Sequence, residues 1–116
     1  MLLPQSEQDT TMRHELWVSM VSLFRSHLAA LERSGKISSV KLDELFDNEI
    51  YINTDTEVLS IWLETISGKG SWSVITNKLD MTEPWFMSAD GKVELSRESM
   101  DVPTAVEKLI EKLSTK

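Results

Sequence analysis

The chain is 116 residues long, with 12 Lys+Arg against 19 Asp+Glu and a formal net charge of −7. That length suits one domain, able to bury roughly two-thirds of its unfolded surface. A composition of 41% apolar and 27% charged residues excludes a disordered chain, and the lack of cysteine removes disulfides, thiol catalysis and Cys-ligated metal centres.

Residues 1–11 are polar and aperiodic and read as a flexible tail ahead of a single domain over 12–116. Met1 to Asp9 has neither a basic start nor a continuous apolar run, so no signal peptide is expected. From Met12 to about Ser34 the spacing is helical, with Thr10 or Thr11 as candidate caps. Trp17, Val21, Phe24, Leu28 and Leu31 form one stripe, and Leu16, Met20, Leu23 and Ala30 run beside it. Arg13, His14, Glu15, Arg25 and His27 interrupt this segment, so it is not a membrane span. A cytoplasmic location is the default expectation. Gly35 suits the position just after the helix.

Residues 36–48 read equally as a short helix or as a strand and turn. Beyond them the period changes to two. Ile50 and Ile52 alternate with Tyr51 and Asn53, and Leu59, Ile61 and Leu63 alternate with Val58, Ser60, Trp62 and Glu64. Turn chemistry at Asn53-Thr-Asp-Thr, Ser67-Gly-Lys-Gly-Ser and Ala89-Asp-Gly-Lys separates further strands at Trp72–Thr76, Trp85–Ser88 and Val93–Leu95. Pro103 opens a last helix whose stripe is Val102, Val106, Leu109, Ile110 and Leu113. The expected fold is α+β: a long N-terminal helix, an antiparallel meander of about five strands and a C-terminal helix, with both helices on one sheet face.

Motifs for chemistry are sparse. His14 and His27 are 13 positions apart and do not share a helix face, so they are no metal pair. Gly68-Lys69-Gly70-Ser71 lacks phosphate-loop spacing and precedes a strand, which makes it a hairpin turn. Leu42 to Gly68 holds Asp43, Glu44, Asp47, Glu49, Asp55, Glu57 and Glu64 with no Lys or Arg. It reads as a solvated acidic rim or a docking surface for cations or a basic partner, without EF-hand spacing. No metal ligands, cofactor or catalytic residues are assigned.

Tyr51 and Trp62 oppose the aliphatic side of their strands. If Ile50, Ile52, Leu59, Ile61 and Leu63 meet the helices, Tyr51 and Trp62 lie on the other face. One of Trp72 and Ile75, and one of Trp85 and Phe86, must join them. The candidate partner-binding set is therefore Tyr51, Trp62, Trp72 and Trp85, covered either by the 36–48 segment or by a second subunit. Single-stranded RNA also stacks on aromatic sheets, but the negative charge argues against nucleic acid.

The helix–sheet–helix order with an acidic surface is similar to that of frataxin-like proteins and of small acidic secretion chaperones. The ridge of acidic residues on the first helix that marks frataxins is missing, since its outer face has only Glu15 and Glu32. Architecture alone gives no function. The expectation is a non-enzymatic interaction or adaptor domain that binds a protein partner or itself, as a homodimer, through the aromatic face. The alternative is a small-ligand or cation-binding domain with a pocket between sheet and helices.

Overall fold

The computed structural model describes residues 5–37, 39–45, 48–76 and 80–113. Helix α1 (Gln5–Arg33) leads into seven strands, β1 (Val40–Leu45), β2 (Glu49–Thr54), β3 (Val58–Leu63), β4 (Lys69–Ile75), β5 (Asp80–Met87), β6 (Lys92–Leu95) and β7 (Glu98–Asp101), and helix α2 (Val102–Ile110) closes the chain. The strands form one antiparallel sheet in sequence order, as hairpin connections demand. The α+β meander expected from sequence is thus present, with seven strands rather than five.

The extra strands come from two places. Residues 40–45 of the ambiguous segment form the edge strand β1. The turn between β6 and β7, Ser96-Arg97, carries two consecutive positive φ angles, 52° and 69°, without a glycine to signal it. Both signs match a tight two-residue hairpin turn, usually written Asn-Gly.

Helix α1 begins at Gln5, so Thr10 and Thr11 lie inside it rather than capping it, and part of the expected tail is helical. Thr11 donates to the Glu7 carbonyl at 3.0 Å. The helix stops where Gly35 takes φ +80°, and Lys36 N–H reaches back to the Leu31 carbonyl at 3.1 Å. At roughly 1.5 Å per residue, α1 is about 43 Å long, comparable to the molecule's 52 Å long axis.

Both helices lie on one sheet face. Trp17, Met20, Val21, Phe24 and Leu28 of α1 and Val102, Ala105, Val106, Leu109 and Ile110 of α2 are buried against it. From the sheet come Ile50, Ile52, Leu59, Ile61, Leu63, Val74, Met87, Val93 and Leu95. Leu31 is only half-buried and Ala30 is exposed; both line an open groove between the end of α1 and α2, with Glu107 and Ile110 on its other side. Asp101 caps α2 by accepting from Thr104 N–H at 2.9 Å. Hydrogen bonds from the Thr104 side chain, then from its backbone, hold the Asp101 carboxyl below its ordinary 3.8.

Candidate interaction surface

The register decides which side chains share the second face. Glu49, Trp62, Ser71 and Pro84 stand in one row across β2 to β5. Tyr51, Ser60, Ser73 and Thr82 form the next, and Asn53, Val58, Ile75 and Asp80 the third. Lys69, Phe86 and Glu94 make a shorter row at the other end. Tyr51 is 37% exposed, Ile75 and Leu45 are each 45% exposed, and Trp62 and Phe86 are half-buried. Among the described residues no helix or strand covers this face. The described residues of segment 36–48 do not fold over it. Ile37 turns into the helix-side core and residues 40–45 extend the sheet; Ser38, Phe46 and Asp47 lie outside the described residues.

Tyr51 and Trp62 lie where alternation puts them. Trp72 and Trp85 do not join them, which corrects the expected set. Trp72 stands opposite Ile61 and Trp85 opposite Gly70, so both indoles face the helices, at 0% and 4% exposure. Ile75 and Phe86 take their places on the bare face. The serines flanking Trp72 carried the signal, since Ser71 and Ser73 mark the outward phase of β4.

Trp85 still serves this surface from beneath. Its Nε1–H donates to the carbonyls of Trp62, at 3.0 Å, and Ser71, at 3.3 Å, pinning the backbone that carries Trp62. Gly70 permits this. A Cβ there would lie 2.2 Å from the Trp62 carbonyl oxygen and 2.6 Å from Trp85 Nε1. In the middle row, the Ser73 and Thr82 hydroxyls are hydrogen-bonded at 2.8 Å. Beside Phe86, a groove of about 590 Å³ is lined by Lys69, Pro84, Phe86, Glu94, Ser96 and Arg97.

Sequence reasoning missed Arg13. It leaves α1 and wraps around the end of the sheet, where Nε–H donates to the Met87 carbonyl at 2.9 Å and a terminal nitrogen donates to that of Ile66 at 3.1 Å. Its guanidinium lies 6.0 Å from the centre of the Phe86 ring. No charge pattern foretold this, because its partners are backbone carbonyls.

The acidic run is divided. Asp43 accepts from Asn53 and sits 3.6 Å from Lys41 on the bare face, whereas Glu44 pairs with Arg25 of α1 at 2.7 Å on the helix side. Glu57 is buried and Asp55 lies exposed in the β2–β3 turn. Among the described residues no group of three or more His, Asp or Glu converges as a metal site would require. The space between sheet and helices holds Trp72, Phe24, Met20 and Met87, all fully buried. Lys112 lies 5.3 Å above the Trp72 ring, whose buried Nε1–H has no hydrogen-bond partner among the described atoms.

No described helix is long and apolar enough to cross a membrane. No protein-family model, curated protein or solved structure matches the chain.

Proposed function

We propose that this chain is a non-enzymatic interaction domain that binds a protein partner, or a second copy of itself, through the sheet face bearing Tyr51, Trp62, Ile75 and Phe86. The carrying observation is that these four large apolar side chains share a face that no described element covers. Apolar side chains rimmed by polar ones mark interaction surfaces on soluble proteins. Here the Ser60, Ser73 and Thr82 hydroxyls offer hydrogen bonds between them, a pairing that fits a protein surface better than a lipid one. Among the described residues, Lys69 and Arg97 stand at one end of this face and Lys41, beside Asp43, at the β1 edge, which gives no continuous basic track for a nucleic-acid backbone. Both histidines belong to α1, on the opposite side of the sheet from the hydroxyl row, so neither stands as a base beside it.

Immobilised wild type and a Tyr51→Glu, Trp62→Glu variant, each shown by circular dichroism to be folded, provide the test. Proteins bound by the wild type should be lost from the variant. An identical bound set would contradict the reading. If the occupant is a second copy, Trp62→Glu alone should release monomers in sedimentation.

A further inference from the structure

We infer that a second copy of this chain pairs antiparallel along β1, with the twofold axis at Leu42, joining two seven-stranded sheets into one. This inference is independent of what occupies the bare face.

The sheet ends at β1 and β7. The phase of the ladder shows what each edge offers. Thr54 N–H donates to the Glu57 carbonyl and Leu63 N–H to the Asn48 carbonyl, so the even-numbered residues of β2 direct their backbone groups toward β3. The odd ones, Glu49, Tyr51 and Asn53, bond β1 at Leu45, Asp43 and Lys41. Val40, Leu42 and Glu44 therefore present their N–H and C=O groups outward, three residues in phase. At β7 the Ser88 N–H to Lys92 C=O bond fixes the opposite end in the same way. Only Ser99 and Asp101 face outward there, and Asp101 is already the cap of α2. So β1 is the long edge available for pairing.

An unprotected edge invites any strand, and charges normally blunt it. The charges of β1 act differently, because they select one register. A twofold pairing that keeps each sheet face continuous puts Leu42 opposite Leu42, Lys41 opposite Asp43 and Val40 opposite Glu44 of the other copy. Moving the axis to Lys41 sets Lys41 against itself. Moving it to Asp43 or Glu44 sets like carboxylates together. Only the axis at Leu42 matches opposite charges, twice. Lys41 and Asp43 then occupy non-hydrogen-bonded positions, where facing side chains come closest. Their side chains are 76% and 41% exposed, and the contacts they make within one chain are long, 3.6 Å between them and 3.4 Å from Asn53 to Asp43, so they can exchange these for the other copy. On the helix side, half-buried Val40 and Leu42 lose their remaining exposure.

The twofold axis of an antiparallel pair runs normal to the sheet. Both bare faces then lie on the same side, and Leu45, Tyr51 and Trp62 of the two copies flank the axis. The dimer presents one doubled surface to a partner.

Sedimentation velocity between roughly 1 and 100 µM should show a concentration-dependent dimer. Lys41→Asp and Asp43→Lys should each weaken it at least about tenfold, since each turns two attractive pairs into repulsive ones. The double exchange Lys41→Asp, Asp43→Lys restores both pairs and should recover the dimer. Because the chain has no cysteine, Leu42→Cys adds a second readout. The axis brings its two copies to a Cα separation of about 5.5 Å, within disulfide reach. Mild oxidation should link Leu42→Cys chains and leave Glu94→Cys chains unlinked. A wild type that stays monomeric while Leu42→Cys fails to link overturns the inference. So does a dimer indifferent to both charge reversals. A dimer dissolved by Trp62→Glu and not by the reversals places the second copy on the bare face instead.

Discussion

One sheet has two faces built from the same strands, and they obey different rules. On the helix side, neighbouring strands place Ile50 by Ile61, Ile61 by Trp72 and Met87 by Val93, all buried. On the other side, rows with Trp62, Tyr51 or Ile75 are interleaved with Ser60, Ser71, Ser73 and Thr82. The first face excludes water and carries the stability. The second mixes Ser60, Ser71, Ser73 and Thr82 with its apolar groups and leaves Tyr51 and Ile75 exposed; under the proposed function these groups would anchor a partner. The difference teaches that aromatic content does not tell which side chains reach the bare face; phase does. Trp72 and Trp85 belong to the core and Tyr51 and Trp62 to the other face because of the cross-strand row each occupies: Trp72 stands opposite Ile61 and Trp85 opposite Gly70, whereas Trp62 stands opposite Ser71 and Tyr51 opposite Ser60.

The largest expected effect lies on the covered face. Phe24 is fully buried at the middle of α1, and Phe24→Ala should lower the unfolding free energy by about 3–5 kcal/mol in a denaturant titration. A loss below about 1 kcal/mol would mean that α1 is not packed on the sheet.

Gly70 joins the two faces, and its replacement sharpens the contrast next. In Gly70→Ala the new methyl meets the Trp62 carbonyl and the Trp85 indole, both held in place by hydrogen bonds. The expected loss is about 2–4 kcal/mol by thermal or denaturant unfolding, with quenching or shift of Trp85 fluorescence. A neutral effect would show that Trp85 does not lie across the strand.

At the β6–β7 turn the sign reverses. Arg97 holds φ +69° on an exposed two-residue loop. Arg97→Gly relieves that left-handed conformation and should raise stability by about 1 kcal/mol. A fall in stability would mean that the Arg97 side chain makes a contact worth more than the strain.

Acid sensitivity is the subtlest difference. The folded Asp101 carboxyl titrates below its ordinary 3.8, so the capping contribution is complete above that value and is lost as pH falls through the lower, folded value. Asp101→Asn keeps an acceptor for Thr104 N–H but cannot titrate. Melting curves between pH 5 and pH 2 should therefore converge for variant and wild type as the pH drops (roughly one unit to either side of the carboxylate range). Parallel curves throughout would remove Asp101 from the acid response.

Much of this was legible in the residues. Both helix stripes, the stop at Gly35 and the inward phase of β2 and β3 follow from spacing alone. What escaped has physical causes. A hairpin closed by Ser96-Arg97 carries no turn signature, so β7 is invisible locally. β1 mixes Lys41, Asp43 and Glu44 with Val40 and Leu42 because it is an edge strand, and edge strands blur the two-residue period. In β5 both phases contain a large apolar residue, so alternation could not choose between Trp85 and Phe86; in β4 the choice between Trp72 and Ile75 rested only on Ser71 and Ser73, which share the phase of Ile75. Arg13 was hidden because backbone carbonyls leave no trace in sequence.

The division of labour between the two faces is tested most directly by the unfolding free energy of a Tyr51→Thr, Trp62→Thr chain. Threonine keeps strand propensity while removing both aromatic anchors. If the bare face is a surface for binding and not for folding, the loss should stay below about 1.5 kcal/mol, far less than for Phe24→Ala. A loss approaching that of Phe24→Ala would show that Tyr51 and Trp62 belong to a second core, and would contradict the account.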